Sequence, residues 1–347
     1  MRVEKYDEKD SGKVYIWALM LPIIVSIIIG IALNGSPKDE SGNYTIFNEI
    51  WFNYLLQILS GVLLLGLYFF YTKSHNISYK ACGITKKPNN LMLIICVVVG
   101  IGLCFLTDKF ISLIAIFLDH IGVNINSTIN IPLSNFGEYA LALLIVAVLP
   151  AVCEELVYRG IILNGLRKYG KWTAILLSAL AFCLMHGNLA QFPYTFLLGI
   201  VLGYVMFETS SLILCITIHF FNNATVLTQM FIHPESTIPE TVSATYVVEA
   251  IVLLLVAIAI VILAFYLIAK INNREKNSQT VLNENPEEKT EQKKINKEKK
   301  LLTKNEKFKT KEISIPEINQ SKKANSGIIM LIVGYAIAIC LTIINLI

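Results

Sequence analysis

The chain has 347 residues, of which 55% are hydrophobic and 16% are charged, and its formal net charge at pH 7 is +4. Apolar runs of about 20 residues recur along it, the length that an α-helix needs to cross a bilayer. This pattern excludes a soluble globular domain, and the continuity of the runs excludes a transmembrane β-barrel, whose strands alternate in polarity. The apolar runs predict a lipid bilayer as the environment; the small net charge says little about nucleic acid, and no nucleic-acid partner is expected.

The apolar runs predict an all-α fold, a polytopic membrane helical bundle of about nine transmembrane helices. The predicted spans lie at 14–34, 51–71, 91–110, 137–163, 172–188, 191–207, 211–231, 245–269 and 327–346. Residues 111–135 begin apolar and end polar, which predicts an interfacial helix followed by a loop and not a further span.

Lysine and arginine concentrate in loops on one side of this layout, at residues 1–13, 72–90, 164–171 and 270–326. Because basic loops remain on the cytoplasmic side, we expect a multi-pass protein of the cell membrane with its N-terminus in the cytoplasm. The Lys-, Asn- and Ile-rich composition indicates a bacterial origin. The seven cysteines show no paired spacing, so we expect them to be reduced.

The layout also divides the chain into five parts. The fourth of them is rich in charge and poor in aromatic residues, a composition that is typical of a disordered segment. The parts are N-terminal spans and loops (1–136), a core that carries three polar motifs (137–231), the eighth span (232–269), the charged cytoplasmic loop (270–326) and a C-terminal span (327–347).

The three polar motifs stand inside apolar runs. Ionisable residues inside a membrane are costly, and they are therefore candidates for function. The motifs are EELVYR with Glu154, Glu155 and Arg159 in the fourth span, FCLMH with Phe182 and His186 in the fifth, and HFFNN with His219 and Asn223 in the seventh.

Helix geometry separates the two glutamates of the first motif. Glu155 and Arg159 are four residues apart, so they share a helix face and can pair. Glu154 is rotated by about 100° from its neighbour and shares its own face with Tyr158. Glu154 is therefore the carboxylate that is free to point elsewhere.

The other two motifs repeat the spacing of four residues. It lets His219 and Asn223 donate hydrogen bonds to one developing oxyanion, and it places Phe182 under the imidazole of His186. At 1.5 Å per residue from the cytoplasmic loops, the polar residues, Glu154 included, lie between about 14 and about 22 Å deep. Three spans are therefore predicted to bring them together around a polar cavity.

A glutamate with two histidines suits the activation of water, with or without a metal. The sequence contains no serine–histidine nucleophile motif and no HExxH motif of the zinc peptidases. Hydrolysis of peptide bonds inside the membrane is therefore the predicted chemistry. Each motif alone also fits a structural role, as a buried ion pair or as an interhelical hydrogen bond.

At these residues the sequence resembles the CPBP family (CAAX protease and bacteriocin-processing, the Abi group). Members carry EExxxR, FxxxH and HxxxN/B on successive membrane helices. The resemblance covers about residues 137–231 and implies an eight-span core, from which the ninth span and the lysine-rich loop depart.

The resemblance implies an intramembrane endopeptidase whose catalytic core is residues 137–231, and it implies a role for each motif. Zinc remains open as a cofactor, with Glu154, His186 and His219 as its candidate ligands, although we favour metal-independent chemistry. In the implied roles, Glu154 and His186 activate the attacking water, His219 and Asn223 stabilise the oxyanion, and Glu155, Arg159 and Phe182 support the site.

The expected partner of such an enzyme is a peptide or membrane-protein substrate, in bacteriocin immunity or in peptide-signal processing. The alternative is a non-catalytic membrane scaffold or immunity protein that binds a peptide or a partner membrane protein. A transporter that uses the buried charges as a relay would show paired halves or broken helices, and the sequence shows neither.

Overall fold

The structure, a computed structural model, describes residues 8–39, 42, 44–84, 87–122, 131, 133–189, 191–233, 242–283 and 326–344. Within these residues the predicted all-α bundle is confirmed. Its main helices are α1 (Glu8–Ala32), α2 (Ile50–Ser74), α3 (Asn90–His120), α4 (Phe136–Tyr169), α5 (Lys171–Met185), α6 (Phe192–Thr209), α7 (Leu212–Ile232), α8 (Ala244–Asn283) and α9 (Ser326–Ile344).

The chain is a multi-pass membrane protein. Seven of the described helices, α1 to α4 and α6 to α8, are long and apolar enough to cross a bilayer. The fifth and ninth predicted spans correspond to shorter apolar helices, at Lys171–Met185 and Gly327–Leu341. Each of the nine predicted spans therefore corresponds to a helix in the described part of the chain.

The prediction of a separate interfacial helix after residue 110 is wrong, because α3 runs without a break from Asn90 to His120. No glycine or proline interrupts residues 103–120, so nothing ends the helix there. Lys109, which lies within this helix, forms an ion pair with Glu249 of α8. Residues 123–130 and 132 of the predicted loop lie outside the described residues.

The fourth span is also longer than predicted, because α4 continues past residue 163 to Tyr169. Arg167, assigned by sequence to a cytoplasmic loop, lies in this last turn. Its guanidinium donates hydrogen bonds to the carbonyl oxygens of Met206 at 2.8 Å and Phe207 at 3.1 Å. These carbonyls belong to the last turn of α6, where backbone acceptors lack partners within their own helix.

The described contacts divide the chain into two units, Met1–Ile268 with Asn325–Ile347, and Ala269–Ala324. The helix α8 continues past its predicted end at residue 269, so residues 270–283 of the predicted charged loop are helical. The prediction of disorder for residues 284–325 lies outside the described residues. The candidate functional residues all belong to the first unit.

Helix α4 is surrounded by other helices, since it contacts α1, α2, α5, α6 and α7. Its segment from Tyr158 to Leu163 is completely buried. Two π-helical segments, Leu143–Val148 and Tyr158–Leu163, interrupt its α-helical geometry. A π-helical turn rotates the residues that follow it, and such turns are frequent at functional sites. Glu155 and Arg159 of α4 are accordingly buried in protein.

A close contact between α5 and α6 completes the surroundings of α4. Gly199 and Gly203 are spaced as in a GxxxG motif on α6, which lets two membrane helices approach closely. A Cβ atom added at Gly199 would lie only 2.9 Å from the Cα of Ala179. The absence of a side chain at Gly199 therefore sets the distance between the two helices.

Candidate active site

Glu155 is at the centre of a buried ionic network. It is fully buried, and one carboxylate oxygen, Oε1, accepts two hydrogen bonds. The first comes from Nη1 of Arg159 at 2.8 Å, and the second from Nδ1 of His219 at 2.9 Å. The pairing of Glu155 with Arg159, predicted from their spacing, is present, and the network also includes a histidine from α7.

The guanidinium of Arg159 is as buried as its partner. It lies over the ring of Phe182, 4.3 Å from the ring centroid, and its Nη2 donates to the carbonyl oxygen of Gly199 at 3.5 Å. A cation gains electrostatic stabilisation from the face of an aromatic ring, and more so when it is desolvated. Three helices, α4, α5 and α6, thus hold this cation in one position.

The hydrogen bond to Glu155 determines how His219 presents its second nitrogen. A carboxylate paired with an arginine can only accept, so Nδ1 of His219 carries the proton in this bond. In the neutral ring Nε2 is then an acceptor, and it becomes a donor when the imidazole is protonated. Nε2 lies 3.9 Å from Oε2 of Glu154.

Glu154 lies outside this ion pair, as its position on the helix suggests, and it faces a gap. Its side chain is 12% exposed, and its Oε2 atom is buried without a hydrogen-bond partner. A buried carboxylate oxygen without a partner is costly, and such groups call for an explanation such as a bound water. The gap of 3.9 Å to His219 is too long for a direct hydrogen bond and suits an atom that contacts both groups.

Phe182 joins the two histidines. Its ring packs edge-on against His186, with ring centroids 4.8 Å apart, and against His219 at 5.8 Å. Nδ1 of His186 lies 2.9 Å from the carbonyl oxygen of Phe182, and because a carbonyl only accepts, Nδ1 donates. The Nε2 lone pair of a neutral His186 is therefore available to a water or a substrate.

The backbone places His186 at a helix end. Helix α5 stops at Met185, and His186 is the capping residue. Gly187 follows with a φ of 60°, in the left-handed region that glycine adopts readily at helix ends. His186 is consequently half-buried at the end of α5, whereas His219 is buried in the middle of α7.

Asn223 lies one helical turn after His219 on α7, and its amide Nδ2 donates to the carbonyl oxygen of Val146 at 3.3 Å. Val146 belongs to the first π-helical segment of α4. The amide has two N–H groups, so this bond orients Asn223 and leaves one N–H for another acceptor. Asn223 therefore contacts α4 at a backbone carbonyl, and this bond does not involve the glutamates.

Two structural features next to these residues were not singled out from the sequence. Tyr158, named only as the helix neighbour of Glu154, is fully buried and its hydroxyl has no hydrogen-bond partner. The carbonyl of Gly199 contributes to the position of Arg159. The GxxxG spacing could have indicated the close approach of Gly199, whereas nothing in the sequence indicates that the hydroxyl of Tyr158 lacks a partner.

The three candidate zinc ligands do not assemble as a metal centre in the part of the chain that the structure describes. No group of three or more His, Cys, Asp or Glu side chains there is arranged to hold a metal ion. Oε1 of Glu155 accepts a hydrogen bond from Nδ1 of His219. This bond leaves Nε2 of His219 unoccupied, as in histidines that bind a metal through their other nitrogen, so zinc stays a prediction, and the chemistry below uses protein groups and water.

A comparison with known families identifies the segment that carries these motifs. Residues 136–225 match the family model described as type II CAAX prenyl endopeptidase Rce1-like. This segment is Rce1-like. The match begins one residue before the predicted core, includes all seven candidate residues and covers 90 of the 347 residues. It confirms the predicted resemblance and supports a protease of the membrane. No curated protein and no solved structure matches the chain.

Proposed function

We propose that this chain is an intramembrane endopeptidase that hydrolyses peptide bonds of a membrane-associated peptide or protein. The observation that carries the proposal is the buried, unpartnered Oε2 of Glu154, 3.9 Å from Nε2 of His219. A carboxylate in this environment binds a water and accepts a proton from it, which is the role of a general base. The Rce1-like segment supports the same chemistry.

In the first step, the oxygen of a water held by Glu154 attacks the carbonyl carbon of the scissile peptide bond. Glu154 takes one proton of the water as the new C–O bond forms. We assign the second contact to this water to Nε2 of His186, which is free to accept a hydrogen bond because Nδ1 is engaged with Phe182. The product of the step is a tetrahedral oxyanion.

Stabilisation of the oxyanion falls to His219 and Asn223. Because Nδ1 of His219 already donates to Glu155, the ring can donate from Nε2 only as an imidazolium, and the carboxylate of Glu155 stabilises that cation. The free N–H of Asn223 is the second donor. Removal of one such donor typically lowers kcat by about 10²- to 10³-fold.

In the second step the tetrahedral intermediate collapses. The C–N bond breaks, and the leaving nitrogen takes the proton that Glu154 accepted from the water. The products are an amine and a carboxylic acid, and Glu154 returns to its carboxylate form. The balance requires one water and no other reactant.

The cellular setting of the reaction follows from the sequence. We propose that the enzyme resides in a bacterial cell membrane, that its N-terminus and basic loops are cytoplasmic, and that its site opens toward the cytoplasmic half of the bilayer. Bacteriocin immunity and the processing of peptide signals are the processes in which we expect its substrates.

The proposal is tested by labelling with H₂¹⁸O. The purified protein in vesicles is incubated with a membrane-protein extract, and hydrolysis inserts one solvent oxygen into each new C-terminal carboxyl group. We expect labelled termini with the wild-type chain and their loss in Glu154→Gln and His186→Ala. Glu138→Gln, a half-buried glutamate near the start of the same helix, and His233→Ala, an exposed histidine after α7, are matched controls.

A non-catalytic scaffold that binds a peptide would yield no labelled termini with any variant, and full labelling by Glu154→Gln would also overturn the proposal. The same assay with a chelator, followed by restoration of zinc, addresses the metal. Metal-independent chemistry predicts unchanged labelling in both conditions. Loss with the chelator and recovery with zinc would contradict it.

A further inference from the structure

A cleft between α1 and α2 lies apart from the residues of the candidate active site. Its volume is about 590 Å³, within the range of ligand-binding pockets. Its walls are almost entirely apolar, and Trp17, Val62 and Phe70 are exposed along it. The lining residues are Lys13, Trp17 and Leu21 from α1, with Val62, Leu63, Gly66, Leu67, Phe70, Tyr71 and His75 from α2 and its C-cap.

The cleft has one polar end. Lys13 lies in the second turn of α1 and His75 caps the end of α2, and the two helices are antiparallel because the hydroxyl of Tyr71 donates to Asp10 at 2.6 Å. Lys13 and His75 therefore stand at the same end. From there the apolar wall of α2 extends for about 20 Å, back to Val62.

The groups at this end are available to a ligand. Lys13 is exposed, and it makes no hydrogen bond or ion pair with any residue that the structure describes. His75 stacks on Tyr71, with ring centroids 4.1 Å apart, and its Nδ1 lies 3.1 Å from the carbonyl oxygen of Tyr71 and 3.0 Å from Oγ of Ser74. These contacts fix the ring and direct Nε2 away from the helix.

We propose that the cleft is a binding site for an anionic phospholipid of the bilayer. Its phosphate would pair with the ammonium of Lys13 and accept from Nε2 of a protonated His75, and one acyl chain would lie along the apolar wall. A tryptophan next to the polar end is typical of the level of the lipid headgroups. A basic residue near anionic lipid contributes about fivefold in affinity. This inference does not depend on the proposed proteolysis.

The lipid is detected through Trp17, which lines the cleft. The chain has three tryptophans, so Trp51→Phe and Trp172→Phe leave Trp17 as the sole emitter. The protein is reconstituted into two series of vesicles. One mixes brominated phosphatidylglycerol with unbrominated phosphatidylcholine, and the other mixes brominated phosphatidylcholine with unbrominated phosphatidylglycerol. Bromine quenches tryptophan on contact, and the two titrations give the affinity ratio of the two lipids at the cleft.

Two variants with matched controls decide the outcome. Lys13→Gln should lower the preference for phosphatidylglycerol by about fivefold, whereas Lys73→Gln, an exposed lysine of α2 outside the lining, should not. Gly66→Leu should fill the cleft and remove the preference, since a Cβ there meets no atom within 4 Å. Gly102→Leu, equally unobstructed but on α3, should keep it.

Equal affinities for the two lipids in the parent protein would overturn the proposal. So would an equal loss in Lys13→Gln and Lys73→Gln, because that result assigns the preference to the general basic surface. Preferential displacement of the quenching lipid by a lipid-modified peptide would assign the cleft to a substrate and would also contradict it. Every readout is independent of hydrolysis, so an inactive protein does not affect the interpretation.

Discussion

The change Arg159→Met tests whether the buried centre of the site is held by charge balance. Arg159 and Glu155 have side-chain exposures of 1% and 0%, and they are joined at 2.8 Å. Removing one partner of a buried ion pair leaves an uncompensated charge and costs about 3–5 kcal/mol. Methionine approximately preserves the volume, so we expect a loss in the free energy of unfolding of about that size.

The double variant Glu155→Gln/Arg159→Met isolates the electrostatic part of this loss. Glutamine removes the uncompensated charge and can still accept the hydrogen bond from Nδ1 of His219. The double variant should therefore be more stable than Arg159→Met alone, with a coupling energy of about 0.5–3 kcal/mol. The free energies of unfolding are measured by denaturant titration in mixed micelles.

Arg167→Met is the matched control. Arg167 lies on the same helix, but its Nη atoms donate to backbone carbonyls at the end of α6. Arg167→Met should lower the free energy of unfolding. Adding Glu155→Gln should lower it further and should not restore it, because the two sites share no partner. If Glu155→Gln rescued both arginine variants equally, or neither, the charge-balanced centre described above would be refuted.

Two further predictions concern packing around the site. Phe182→Leu removes the edge contacts to both site imidazoles. It should destabilise the protein by about 1–3 kcal/mol, since each aromatic pair contributes about 0.5–1.5 kcal/mol. Thermal unfolding in detergent measures this loss, and a change below the error of the method would contradict the prediction. Gly199→Val should cost about 1–3 kcal/mol or more from overpacking against α5, whereas Gly102→Val, with no atom within 4 Å of its Cβ, should be close to neutral in the same measurement.

Local spacing predicted the part of the site that lies on a single helix. A separation of four residues places two side chains on one face whatever the rest of the fold does, and the ion pair of Glu155 with Arg159 follows from it. The same rule places Phe182 against His186. The depth estimate also indicated that three spans converge, since it depends only on rise per residue and on where the spans begin.

The partner of each histidine could not be predicted in the same way. Which glutamate bonds to Nδ1 of His219 depends on how α4 is rotated about its axis, and two π-helical segments alter that rotation. The spacing in EELVYR indicates that Glu154 lies outside the ion pair, but it does not indicate that Glu155 also bonds to His219. The ends of α3, α4 and α8 were missed for a related reason. Charged residues within these helices are accommodated by partners elsewhere, as Lys109 is by Glu249.

The central claim is that Glu154 holds a water inside the bilayer, with Nε2 of His186 as the second contact of that water. An experimental structure in a lipid nanodisc, at a resolution that shows ordered waters, tests this claim most directly. The account predicts a water within hydrogen-bond distance of Oε2 of Glu154 and Nε2 of His186, absent in Glu154→Leu. A Glu154 side chain that points to the acyl chains, or a dry contact between it and another side chain, would contradict the account.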